Sequence, residues 1–179
     1  MARHIFVPGE PVPVLQLKDL PEGIKGYWSL WGIGLNGTDQ RMDRVFPVFL
    51  SEEGKSYLPT AKYIWDRFMD KGQEIHFIGF KKGDDVLETL EEKIKQHGYS
   101  LFKEIEQLYR QRLNREREKG ELAFRLRREA ISRLGLKGVR EHRLKQLDRE
   151  EHLWRGRMAQ KENFIPELTP VCLVYVEGY

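Results

Sequence analysis

The sequence predicts an α+β fold: a small antiparallel or mixed β body with a short helix, a long antiparallel helical hairpin, and a C-terminal strand that returns to the sheet. Three observations carry this expectation. Tyr27–Ile33 and Val45–Leu50 are aromatic and branched runs, and Asn36-Gly37-Thr38-Asp39 between them is hairpin turn chemistry. Residues 84–161 contain no proline and repeat apolar side chains every three or four positions, which is the period of a helix. Val171–Val176 is a continuous apolar run of the kind that buried strands show.

Taken in order, the chain divides into an extended lead-in over 1–26, a β-containing body over 27–83 and 164–179, and a helical hairpin arm over 84–163. Seven prolines and glycines between Pro8 and Gly26 fix φ angles and remove donors, so the lead-in reads as a docking linker with an edge strand at Val12–Leu17. Pro47 lacks an N–H, which places its strand at an edge or a bulge. Glu53-Gly54 turns the chain. Pro59-Thr60 then opens a helix to Asp70 whose apolar face is Ala61, Ile64, Trp65 and Phe68. Ile75–Phe80 is a further short strand.

In the arm, Leu87, Leu90, Ile94, His97, Leu101, Ile105 and Leu108 form a seam that needs cover from a partner element. Gly98 and Gly120 interrupt the pattern and mark kinks or breaks. Leu134-Gly135-Leu136-Lys137-Gly138 stops one helix and starts the next, with Gly135 as a left-handed cap. The returning helix carries Val139, Leu144, Leu147, Trp154 and Met158 on one stripe. Pro166 and Pro170 bracket a bend before the last strand.

Charge is distributed unevenly. Residues 109–161 hold 17 Lys and Arg against 8 Asp and Glu, a local net of +9, while the other residues hold 14 against 20, a net of −6. A basic arm beside an acidic body points to a polyanion or an acidic protein surface as partner. Arg125, Arg127, Arg128, Arg133, Lys137, Arg140, Arg143 and Lys145 cluster around the hairpin tip and its flanks, where they could track a nucleic-acid backbone. The competing reading is a solvated face paired with Glu129, Glu141 and Glu150. Phe124 and the tip leucines either wedge against bases or pack between the helices.

Several chemistries lack their residues. There is no G-x-x-x-x-G-K-[ST] phosphate loop; Gly79-Phe80-Lys81-Lys82-Gly83-Asp84 has neither the spacing nor the Ser/Thr, and reads as a turn between strand and helix. Asp43 with Glu53-Gly54-Lys55 is the most tempting catalytic set, since metal-dependent nucleases combine an aspartate with a Glu-x-Lys pair. Gly54 places that pair in a turn, which favours solvated side chains. No two of the five histidines are spaced as metal ligands, and Cys172 alone excludes an internal disulfide or a cysteine-rich zinc site. Neither a cofactor, a metal nor a small-molecule substrate is expected. No run nears the roughly 18 apolar residues of a membrane span, and MARHIFVPGEPVPV lacks the apolar core of a secretory signal, so cytoplasmic residence is expected.

A set of stretches resembles one family. Phe6-Val7-Pro8-Gly9 leading to Gly26–Trp31, and Val45–Leu50 followed by Gly54, Pro59, Thr60-Ala61 and Ile64-Trp65, are similar to a C-terminal extension of bacterial and archaeal SWI/SNF-type (RapA/HepA-like) superfamily 2 DNA translocases. Arg115–Glu121, Arg127–Ile131, Gly135-Leu136, Val139-Arg140 and Pro166–Pro170 resemble its helical part and ending. The resemblance implies a helicase motor as partner in cis or in trans, DNA as the track, and a role in transcription recycling or phage defence. Both helicase lobes and their ATP-binding motifs are absent from these residues. The expected function is therefore a non-catalytic accessory module that contacts a SWI/SNF-type motor and the DNA backbone. The alternatives are a protein-binding adaptor that grips an acidic surface and a small metal-dependent nuclease.

Overall fold

The structure, a computed structural model, describes residues 10–18, 20–21, 23–36, 41–70, 72, 74–83 and 86–179, with the side chains of residues 41 and 42 left out. In chain order the elements are β1 (Val12–Leu17), β2 (Lys25–Asn36), β3 (Arg41–Ser51), α1 (Leu58–Met69), β4 (Ile75–Lys81), α2 (Val86–His97), α3 (Tyr99–Ser132), α4 (Lys137–Lys161) and β5 (Ile165–Gly178). The fold is α+β, as the sequence predicts. It clusters into two compact units, one of Met1–Gly34, Asp43–Phe102 and Glu167–Tyr179, the other of Leu35–Met42 and Lys103–Pro166.

The first unit is built on a five-stranded mixed sheet with the order β3-β2-β5-β1-β4. β5 runs parallel to β1, from Val14 opposite Tyr175 to Leu17 opposite Gly178, and β4 runs antiparallel to β1. The C-terminal strand thus returns to the middle of the sheet, between β2 and β1. Alternation along β2 separates its faces. Trp28 and Leu30 point to one side, where they join Leu17, Phe49, Val176 and the α1 residues Ala61 and Ile64 in a buried core. Trp65 and Phe68 pack against that core, so all four residues of the predicted α1 face are used. The Trp28 ring stacks on Trp65 at 6.0 Å and meets Phe68 edge-on at 4.9 Å, while its Nε1 donates to Ala61 O at 2.9 Å. The indole thereby buries a large apolar area without orphaning its one donor.

Trp31 and Ile33 lie on the opposite face of β2 and are equally buried. A side chain at Gly98 would overlap Ile33 Cδ1, so the glycine between α2 and α3 lets the helix junction sit against the strand. Gly98 is a break, as predicted. Pro47 falls on β3, the edge strand of the order, as its missing donor predicts. The hairpin turn expected at Asn36–Asp39 lies outside the described residues beyond Asn36.

Several local expectations are corrected. Val12–Leu17 is an interior strand, flanked by β5 and β4: both of its edges are hydrogen-bonded, and Val12 and Leu17 at its two ends are fully buried. The lead-in therefore contributes to the sheet. α2 and the first turn of α3 belong to the β unit, so the arm begins near Lys103 instead of residue 84. Pro166 and Pro170 lie inside β5 and bracket no bend. β1 reaches β5 only from Tyr175 onward, so the proline-bearing half has no β1 acceptor to satisfy. Gly79-Phe80-Lys81 is strand, not turn.

The second unit contains most of α3 and all of α4, joined over residues 133–136 as an antiparallel helical hairpin. Gly120 does not break α3. It is the close-packing point of the pair, since a Cβ there would stand 2.6 Å from Trp154 Cε2. Gly135 is not left-handed: the positive-φ glycines among the described residues are Gly23, Gly54 and Gly79. α3 instead ends on a tight Leu134 N–H to Ile131 O bond of 3.1 Å, and the Arg140 guanidinium donates to Leu134 O at 3.2 Å. These bonds serve the carbonyls that a glycine cap would otherwise serve. Leu108, placed on the seam by spacing, is 40% exposed; Ile105, Tyr109 and Leu113 are the buried residues of α3.

Candidate nucleic-acid interface

Apolar packing and ion pairs both join the two helices of the hairpin. Only Leu147 and Met158 of α4 are buried. Toward the open end, the Tyr109 hydroxyl donates to Lys161 O at 2.8 Å and its ring meets Phe164 edge-on at 5.4 Å. Lys161 pairs with Glu116 at 2.6 Å, and Arg117 pairs with Glu162. At mid-length Phe124 packs on Trp154, with ring centroids 5.4 Å apart. Phe124 is thus spent on packing between the helices, the second of its two expected roles.

Beyond Trp154 the arginines take over. Arg128 spans the two helices, donating to Asp148 Oδ1 and Glu151 Oε2, each at 2.7 Å. Arg155 holds the same Glu151 at 2.7 Å. Glu151 is held below its ordinary carboxyl range by Arg155 and then Arg128, and Arg128 is pushed further up by Asp148 and Glu151. Arg127 pairs with Glu150 at 2.7 Å and lies over the Phe124 ring at 5.8 Å. These pairs are solvent-exposed, so each is weak by itself, but together they fix the rotation of one helix against the other.

The eight basic residues singled out in the sequence accordingly divide into two groups. Arg127 and Arg128 are interhelical struts, and the half-buried Arg140 caps the end of α3. Arg125, Arg133, Lys137, Arg143 and Lys145 are exposed and form no ion pair among the described residues. Of the acids expected to neutralise the cluster, Glu150 does pair. Asp148 and Glu151 are the partners that spacing alone did not single out. Their signal was present: 148, 151 and 155 share a helical face with Leu147 and Trp154.

The tip itself is amphipathic. Leu136 is 73% exposed between Arg133 and Lys137, and Val139 is also exposed. On one flank Arg127, Ile131, Arg143, Gln146, Leu147 and Glu150 line a groove of about 410 Å³. Glu150 neutralises Arg127 within it, so Arg143 is the guanidinium of the lining that forms no ion pair among the described residues.

The nuclease set is arranged otherwise. Glu53, Gly54 and Lys55 form a tight turn closed by Ser51 N–H to Lys55 O at 2.8 Å and Gly54 N–H to Ser51 O at 2.9 Å, with Gly54 at φ 76°. Glu53 and Lys55 are solvated there, and Asp43 is exposed on β3. Cys172 is half-buried in β5, and burial pushes its thiol up, as suits inert packing. Among the described residues no helix is long and apolar enough to cross a membrane.

Sequence reasoning missed one polar cluster in the β unit. Glu52 Oε1, just past β3, accepts from Lys81 Nζ of β4 at 2.9 Å and from the Tyr175 hydroxyl of β5 at 2.5 Å. Lys81 lies 3.9 Å above the Tyr175 ring, and Tyr27 of β2 meets that ring edge-on while donating to Lys82 O at 2.8 Å. Burial, then the bond to Glu52, pushes Tyr175 up to about 12. Glu52 is held low by Tyr175 and then Lys81. Every charge in this cluster is satisfied internally, so it works as a clasp on four strand ends.

Comparison of the chain with models of protein families, with curated proteins and with solved structures finds no match.

Proposed function

We propose that this chain is a non-catalytic accessory module of a SWI/SNF-type DNA translocase that grips the DNA backbone with the tip of its helical hairpin. The supporting observation is the division of the basic cluster. Arg127 and Arg128 hold the two helices together, while Arg125, Arg133, Lys137, Arg143 and Lys145 are left exposed around one end of a rigid rod. Cations held on a rigid scaffold lose little freedom on meeting phosphates, and phosphate contact gives affinity without sequence choice. The motor partner and a role in phage defence or transcription recycling rest on the family resemblance, and cytoplasmic residence on the composition.

The test is a salt titration of duplex DNA binding. Neutralising about five phosphates gives a slope of log K against log salt of roughly −4 to −5. Replacing Arg125, Arg133, Lys137, Arg143 and Lys145 with Ala should flatten that slope toward zero without altering the circular dichroism. A wild-type protein with no salt-dependent DNA affinity, free or beside its motor, would transfer the tip to an adaptor role on an acidic protein surface.

A further inference from the structure

Leu136 is the most exposed large apolar side chain among the described residues, at 73%. It stands at the tip of the hairpin, as the N-cap residue of α4. Phe124 is packed on Trp154 and Leu134 is half-buried, so Leu136 is the one of the three that stays in solvent.

The stability of the arm does not call for this residue. At an N-cap, Ser, Thr, Asp or Asn accepts a first-turn N–H, and an apolar residue forgoes that bond. Leu136 makes no such bond, and the first turn of α4 holds no acid and opens on Lys137, against the sense of the helix dipole. Gly135 and Gly138 flank it. Neither has a positive φ, and a Cβ on either would meet nothing within 4 Å. The turn therefore requires glycine at neither position, and the effect of both is to bare the sides of the leucine. A local choice that costs stability and gains no burial marks a contact made with something else.

The surrounding charge says what that something is. Arg133 and Lys137 are exposed on either side of Leu136 and form no ion pair among the described residues. From Arg133 back to Arg125, and from Lys137 on to Lys145, is eight residues, about 12 Å at ~1.5 Å per residue. A flat anionic surface met end-on would touch the tip cations alone. Cations that reach back past the ~8.5 Å depth of a DNA groove suit a partner whose phosphates rise along the sides of an apolar interior. Duplex DNA has that form, with phosphates outside and stacked bases within.

We propose, resting on the reading of the hairpin as a DNA contact, that Leu136 is a wedge. It enters the base stack while Arg133 and Lys137 hold the phosphates on either side. Leucine is among the side chains that part base steps in this way. The ligand class is DNA whose stack is already weak, such as a mismatch, where less is lost on unstacking.

Fluorescence anisotropy of the full chain on two short duplexes, one fully paired and one with a single central mismatch, tests this. The mismatched duplex should bind about tenfold more tightly, the equivalent of roughly 1.4 kcal/mol of unstacking spared. A fluorescent adenine analogue beside the mismatch should brighten as protein is added and stacking is lost. Leu136→Ser should abolish both the preference and the brightening. Its salt slope should match that of the parent, and its melting temperature should be equal or higher, because serine caps α4. A parent that binds both duplexes equally, or a Leu136→Ser protein that keeps the preference, overturns the wedge while the phosphate contact stands on its salt slope. Absence of any salt-dependent DNA affinity overturns the contact itself, and the wedge with it. Leu136-dependent binding to phosphatidylserine vesicles, without a duplex preference, overturns the wedge and assigns the leucine to a membrane surface.

Discussion

Gly120 of α3 lies beneath the indole of Trp154 of α4, so close that any Cβ would stand 2.6 Å from Cε2 and nearer still to Cζ2. This reverses a common expectation. Glycine inside a helix ordinarily costs about 0.5–1 kcal/mol relative to alanine, so Gly120→Ala should stabilise the arm if propensity decided the outcome. Here the overlap decides. Gly120→Ala is expected to destabilise by about 1–3 kcal/mol, the usual size of overpacking. In a Trp154→Ala background the same change should stabilise by a few tenths to about 1 kcal/mol. Urea denaturation of the four proteins in this cycle measures the sign change directly; a stabilising Gly120→Ala in the parent would remove the close-packing role.

A second expectation concerns β5. This strand lies between β2 and β1, and its Val176 is fully buried in the α1 core. Truncation after Glu162 removes the central strand and separates β2–β3 from β1–β4, baring two edges and the core between them. The truncated chain should lose its cooperative melt and aggregate. A soluble fragment with the parent melting temperature would mean that the sheet closes without β5.

The return of β5 was readable in the sequence because Val171–Val176 has no alternation, and a strand buried on both faces needs none. Likewise the α1 face was readable in the spacing of Ala61, Ile64, Trp65 and Phe68. What stayed hidden was decided by partners distant in the chain. Val12–Leu17 reads as an edge because Pro11 and Pro13 flank its start, yet β4 and β5 come to lie on both sides of it. Gly120 looks like a helix breaker until Trp154 is placed above it. At the tip the eight basic residues were all visible, but not their division. Arg127 and Arg143 are equal in composition, and only the placement of Glu150 makes one a strut.

The Glu52–Lys81–Tyr175 clasp sets a pH dependence. Tyr175 titrates at about 12 in the folded protein against about 10 when unfolded. The unfolded chain therefore releases its proton first as pH rises, and the contribution of Tyr175, full below about pH 10, is lost between there and 12. Glu52 is depressed, so its contribution is present above the usual carboxylate range and is lost as pH falls through its lowered value. One of the seven tyrosines should thus titrate late in tyrosinate absorbance. Glu52→Gln should shift that late step downward, though not fully to the ordinary value, because burial is the larger cause. An unshifted late step would mean that Glu52 does not contact the phenol.

The two arginine groups at the hairpin make opposite predictions. Arg128 contacts Asp148 and Glu151 across the helices, so Arg128→Ala leaves two acids facing each other with one fewer cation between them. Its first effect should be on the arm: faster amide hydrogen exchange along α3 and α4 near residues 124–151, and a lower melting temperature at low salt that recovers as salt screens the acids. Arg143 lines the groove and forms no ion pair among the described residues, so Arg143→Ala should leave exchange and melting unchanged. Its effect should fall on DNA affinity, with the salt slope reduced by about 1 for one lost phosphate contact. Replacing both should give separable effects, because one acts on the rod and the other on what the rod touches. Equal losses of DNA affinity at Arg128 and Arg143, with no change in exchange at either, would mean that Arg128 releases its acids to bind phosphate. The assignment of struts and contacts would then have to be exchanged.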